Sequence, residues 1–503
     1  MRCLLLIFLL AAPGAWAQTI DTAAISRSAY LFDLDFSAAE KDSMVDGLKE
    51  NRVNFEKLHR QTIPNNLPYP FAFEPAPAGF KIPTKQNPIS WNIPSNVSMP
   101  ANKIELAFYS VGQLASLIKN KKISSTELTK FFLDRLKKWG DTLECVITLT
   151  EDLALREAAQ ADVEIKKGVY RGPLHGIPYG LKDLFAVKGY KTTWGSVPYK
   201  EQVIDEDAFV YTQLKEAGGV LCAKLTLGEL AYADLWFGGR TRNPWNLQRG
   251  SSGSSAGSAS ATVAGLLPYA IGTETWGSIV SPSHTCGATG LRPTFGSISR
   301  SGAMVLGWSL DKAGPICRSA EDAAIVFYYL KGTDGKDAGA VERPFNYNAK
   351  IDWKKLRIAY AGNYFKNLPA GSLQHAVLET YKKLGASLTE VQFPDSTIYP
   401  YNIMDVVLSA ESAAAFDELT RSEGDNLIRR QDKNFWPNSF RVSRFVPAVE
   451  YINANRHRSR LSQQLHEFMQ QYDVVIVPSF AGNQLAMTNL TGHPLYGDRK
   501  SVV

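Results

Sequence analysis

No basic cluster, cysteine pair or metal-binding signature marks this chain of 503 residues, and beyond its first 17 residues no apolar run is long enough to span a bilayer. A spanning helix needs about 20 consecutive apolar residues. The five cysteines are scattered, and none stands in a Cys-x-x-Cys pair. Buried free thiols are therefore expected at Cys145, Cys222, Cys286 and Cys317 rather than metal ligands. His-Glu-x-x-His is absent, so neither a metal nor another cofactor is implied. A net charge of +6 is small for this length and gives no reason to expect nucleic acid as a partner.

What is present is the composition of a folded chain, 45% hydrophobic and 21% charged. Residues 1–17 read as a secretory signal. Arg2 supplies the positive start, residues 3–12 the apolar core, and Ala15-Trp16-Ala17 a small-x-small cleavage site, with Pro13-Gly14 cutting the apolar run short. The expectation is a mature start at Gln18 and export, to the periplasm if the source is a Gram-negative bacterium.

The densest chemical signal lies between Arg249 and Gly302. It reads Gly250-Ser251-Ser252-Gly253-Ser254-Ser255-Ala256-Gly257-Ser258, then, after a hydrophobic segment, Ile271-Gly272-Thr273-Glu274-Thr275-Trp276-Gly277-Ser278-Ile279. A flexible linker is seldom followed directly by so apolar a segment. A phosphate loop would end in Gly-Lys-Ser/Thr, which is missing. Gly253-Ser254-Ser255-Ala256-Gly257 fits a nucleophile elbow with Ser255 as nucleophile, but an elbow must follow a core strand. The preceding residues 243–249 read as a polar loop containing Pro244. The remaining reading uses two serines, one in each glycine-rich turn, and a base from elsewhere. Upstream, Gly176-Ile177-Pro178-Tyr179-Gly180-Leu181-Lys182-Asp183 offers one. His175 in the same stretch reads as an ordinary turn histidine.

These two motifs, in this order, resemble the amidase signature family, amide hydrolases with a Ser–cis-Ser–Lys triad. Ser254 falls on the cis-serine, Ser278 on the nucleophile 24 residues later, and Lys182 on the base. The resemblance is good over residues 109–324 and weaker to 494. It implies backbone N–H groups of Thr275, Trp276, Gly277 and Ser278 as the oxyanion hole, and Gly253 and Trp276 at the substrate. Lys182 can act as base only when neutral, which requires burial or nearby positive charge. Three positions depart from the family pattern. Trp276 replaces a glycine or aspartate and either reshapes the acyl pocket or packs outward. Glu274 replaces aspartate and is expected to brace the loop, as is Thr273. Val280 replaces an arginine.

Along the chain, helices are expected at residues 38–63, 124–138, 151–167, 207–217, 373–384 and 451–472. The second opens on a Ser124/Glu127 capping box. Strands are expected at 220–225, 356–359, 387–391 and 474–478. This alternation argues for an α/β architecture, and the resemblance implies one large domain with a mixed β-sheet core flanked by α-helices. The division is a signal peptide (1–17), an N-terminal helix and extended arm (18–102) and an amidase domain (103–497). That domain comprises a signature core (103–330), a variable covering region (331–447) and a return to the core (448–497). Residues 498–503 match the translation of a common sequencing adapter, so a non-native tail on a truncated protein is expected.

The reading is an exported serine amidase, cleaving a small-molecule carboxamide or N-acyl amide through an acyl-enzyme on Ser278, with a homodimer left open. Two rivals stand beside it. One is an amidotransferase A-type subunit, which works with partner subunits on charged tRNA. The other is a non-catalytic binding protein on the same scaffold.

Overall fold

The computed structural model describes residues 19–31, 34–60, 73–399 and 402–498. The expected signal segment, the tail beyond Asp498 and residues 61–72 of the expected arm lie outside these. Among the described residues no helix is long and apolar enough to cross a membrane.

The strands, in chain order, are β1 (Val146–Leu149), β2 (Pro178–Lys182), β3 (Val220–Leu225), β4 (Ala270–Glu274), β5 (Thr289–Arg292), β6 (Lys312–Cys317), β7 (Ile358–Ala361), β8 (Leu388–Val391), β9 (Val474–Ile476) and β10 (Leu495–Asp498). Seven form one mixed sheet in the order β1-β3-β2-β4-β6-β5-β10. Its middle, β3-β2-β4, is parallel, and the flanking pairs are antiparallel. Strands β7, β8 and β9 make a second, parallel sheet in the order β8-β7-β9. Every residue of β2 and β3 is buried. That is the rule for parallel strands covered on both faces, and it explains their mostly apolar sequence, interrupted only by Lys182 and Lys224.

The helices that matter below are α1 (Ala38–His59), α2 (Ser125–Leu143), α3 (Glu151–Lys166), α4 (Ala256–Val263), α5 (Val280–Cys286), α6 (Ile403–Ala415), α7 (Trp436–Ser443) and α8 (Ala448–Met469). At the start of α2 the Ser124 hydroxyl accepts the Glu127 N–H while the Glu127 carboxylate accepts the Ser124 N–H, the expected capping box. Its apolar face, including Leu128, Phe132 and Leu136, is buried in the main core. The mixed α/β core read from the sequence is therefore present, with element ends displaced by a few residues.

Residues 243–249 are a correction. They are not all loop, because Asn246–Gly250 pairs as a short strand with Arg242–Asn243. This ribbon stands outside the main sheet, so it still does not supply the core strand that an elbow requires. Residues 73–98 carry no regular secondary structure and lie along the domain. Phe73 packs edge-on to Phe295 at 5.1 Å, and Trp91 sits 4.9 Å from the Tyr347 ring. Burying these rings ties an otherwise irregular segment down.

Candidate active site

The parallel strands β2 and β4 end side by side, with Lys182 closing β2 and Glu274 closing β4. In parallel α/β sheets, sites collect at the carboxyl ends of the strands. The Lys182 side chain is fully buried. Its Nζ donates to Ser254 Oγ at 2.8 Å, Thr273 Oγ1 at 2.8 Å and Ser255 Oγ at 3.2 Å. Burial drives its pKa down to about 7, against a smaller upward pull from Asp311 and Glu274. All the nearest partners are hydroxyls, which bond a neutral amine as readily as an ammonium. The adjoining buried lysine, Lys224 on β3, is handled differently. Its Nζ lies 2.7 Å from Asp183 Oδ1.

The Gly253–Ser254 peptide is cis. Gly253 is required by close packing, since a Cβ there would stand 1.8 Å from the Ala233 carbonyl oxygen. Ser255 is turned inward. Its hydroxyl donates to the Thr273 carbonyl at 3.0 Å and accepts the Thr273 N–H at 3.1 Å, sealing the start of α4 onto β4. Its N–H donates to the Ser278 carbonyl at 3.1 Å, so the two glycine-rich turns are joined directly. Of the two adjacent serines, Ser254 bonds Lys182 more closely, while the hydroxyl of Ser255 is engaged with Thr273.

The second turn, residues 275–279, is pinned from beneath by Glu274. This fully buried carboxylate accepts the N–H of Ile279 at 2.9 Å and of Val280 at 3.0 Å. It also accepts Arg292 at 2.7 Å and the Asn489 side-chain amide at 2.8 Å. Despite the opposing effect of burial, Arg292 and these amides hold its pKa down to about 2. From the side, the Thr275 hydroxyl donates to Asp311 at 2.5 Å, and Asp311 in turn accepts the N–H of Leu306 and Gly307. Gly277 has φ +94°, a conformation that favours glycine. Among the described residues, the N–H groups of Trp276, Gly277 and Ser278 donate to no protein acceptor. A turn so braced, with free amides and a half-buried Ser278 hydroxyl, can receive a carbonyl oxygen on which negative charge develops.

Ser278 opens into a cavity of about 310 Å³ that Gly253, Thr275 and Trp276 also line. Trp276 stands partly exposed at its edge, which places it against the cavity and not in the core. Residues of α6, starting at Asp405, and residues between Asn434 and Ser443 line the cavity as well. His175 is buried away from this group, accepting the Arg171 N–H at 3.1 Å with Glu164 3.1 Å from its other nitrogen. Sequence reasoning missed the roles of Asp311, Asn489 and Lys224, and matched Arg292 to the family's Lys/Arg-Pro-Thr without giving it one. Each lies far along the chain from the residue it supports, and nothing in the local pattern announces it. The four cysteines are free and buried, and among the described residues no group of acidic, histidine or cysteine side chains is arranged to hold a metal.

The Amidase family matches residues 127–497. The A-type subunit of glutamyl-tRNA(Gln) amidotransferase from Methylococcus capsulatus is 33% identical over 396 residues, covering 73% of this chain and 81% of that protein. The native peptide amidase of Stenotrophomonas maltophilia superposes with a TM-score of 0.67 at 28% identity, over 76% of this chain and 88% of its own. A protein from a vestigial complex, described in connection with the origins of an s-triazine catabolic enzyme, superposes with a TM-score of 0.70 at 26% identity, over 77% and 90%.

Proposed function

The chain belongs to the amidase signature family, and on that premise we propose that it cleaves carboxamide or N-acyl amide C–N bonds through an acyl-enzyme on Ser278. The observation that carries this is the buried Lys182, with a pKa near neutrality and 2.8 Å from Ser254, beside a turn with free amides. Ser278 Oγ attacks the carbonyl carbon. Its proton passes to Ser254 Oγ as the Ser254 proton passes to the neutral Lys182 amine. The tetrahedral oxyanion takes hydrogen bonds from the turn amides, with the Thr275 N–H as a further donor. Losing one such donor typically costs on the order of 3 kcal/mol of transition-state stabilisation. Collapse breaks the C–N bond, and the proton returns through Ser254 to the departing nitrogen. Water activated by the same relay then frees the carboxylate and restores Ser278.

A second reading, the A-type component of an amidotransferase, is favoured by the curated relatives, which carry that name. It uses the same first half-reaction, and the released ammonia would pass to a partner-bound acceptor. Partner subunits would then replace the stand-alone action and homodimer considered above. Export, proposed from residues 1–17 alone, fits the hydrolase and not this alternative. The purified chain, assayed for ammonia release from carboxamides without any added protein, separates the two. Turnover by the chain alone, lost in Ser278→Ala, supports the hydrolase. Release that needs co-purifying subunits and glutamine establishes the amidotransferase component instead.

A further inference from the structure

The lining of the Ser278 cavity has a definite chemistry. Among the described residues that line the cavity, Asp405 is the only charged one. The rest include four aromatics, Tyr232, Trp276, Phe435 and Trp436, together with small residues, serines and Asn434. Tyr232 stands edge-on to both Phe435 and Trp436, with centroids at 5.0 and 5.4 Å. Asp405 lies in the first turn of α6, where its carboxylate accepts the side-chain amide of Asn402. Glu50 on α1 is close enough to repel it, and among the described residues no lysine or arginine forms an ion pair with Asp405. Burial and the repulsion of Glu50 push its pKa up to about 6. A carboxylate half withdrawn from water, repelled by another and paired with no cation, is a group that a cationic ligand would relieve. Aromatic side chains attract the same kind of ligand through their faces. A substrate with a free carboxylate, by contrast, meets an acid and no compensating base.

We propose that Asp405, in its aromatic surround, selects amide substrates that carry a positively charged group on the side remote from the scissile bond. This rests on the reading that the amide reacts at Ser278, but its test does not need turnover. The Ser278→Ala chain is titrated by calorimetry with two amides of equal length, cationic 6-aminohexanamide and neutral heptanamide, and with the anionic monoamide of adipic acid. The expected order is cationic over neutral by roughly tenfold or more, about 1.4 kcal/mol, with the anionic amide weakest. Adding Asp405→Asn should bring the cationic and neutral amides within about twofold of each other. Ser409→Lys, one turn along α6 and on the same cavity wall, should remove the preference by placing a cation beside Asp405. Equal or tighter binding of heptanamide, binding of neither amide, or a cationic preference that survives both substitutions overturns the proposal. Ammonia release by the unsubstituted chain reports on Ser278 separately, so the two failures are distinguishable.

Discussion

Lys182 Nζ lies 2.8 Å from Ser254 Oγ, and both side chains are fully buried. The pair is the junction between β2 and the first glycine-rich turn. Because burial is what lowers the lysine pKa, the base and the fold are one arrangement: a lysine that closes a central strand is dry by construction.

This fixes the pH dependence. With a folded pKa of about 7 against an ordinary 10.5, Lys182 is increasingly protonated below neutrality and cannot take a proton. kcat/KM should fall about tenfold per pH unit below about 7, measured with a neutral amide between pH 5 and 9. The stability contribution has the opposite sense to that of a paired lysine. Between pH 7 and 10.5 the unfolded chain binds more protons at this site than the folded one, so the burial penalty is relieved as pH rises through that window.

Ser254 and Ser255 should separate cleanly. Ser254→Ala removes the relay and should slow acylation by about a thousandfold, measured by burst kinetics. Ser255→Ala leaves the Thr273 N–H and carbonyl without their partner. It should destabilise the fold by about 1–3 kcal/mol in urea unfolding while Ser278 still acylates. Loss of acylation in Ser255→Ala alone would return the nucleophile-elbow reading to consideration.

Glu274 should matter more for the turn than for the chemistry directly. Glu274→Ala leaves Arg292 buried without its partner and frees the Ile279 and Val280 amides, at a cost of about 3–5 kcal/mol. The carboxylate is held at about 2 against an ordinary 4.5. Its contribution is present above pH 4.5 and is lost as pH falls from there through 2. Denaturation curves across that range should show a larger acid-side loss in the native chain than in the variant, where only the other carboxylates with lowered pKa values, such as Asp337, contribute.

Much of this site was legible because the chemistry is local in sequence. Ser254 and Ser278 sit in two glycine-rich turns, and Lys182 follows Gly176-Ile177-Pro178; that it closes strand β2 was not expected. Helix α2 was legible from its capping box and apolar face. The supports were not. Asp311, Arg292 and Asn489 reach Thr275 and Glu274 across 18 to 215 residues of chain. Their partners are set by sheet order, and order among seven strands is not written in any one of them. The orientation of Trp276 was open for the same reason. The cavity that Trp276 lines is completed by residues of α6 and α7, which arrive more than a hundred residues later.

The central claim is that Ser278 is the nucleophile and Lys182 its base. Intact mass after incubation with a fluorophosphonate tests it most directly, on the native chain and on Ser278→Ala and Lys182→Ala. The expected result is a single adduct, absent in Ser278→Ala and formed far more slowly in Lys182→Ala. A label retained in Ser278→Ala, or no adduct on a native chain that circular dichroism shows to be folded, would contradict it.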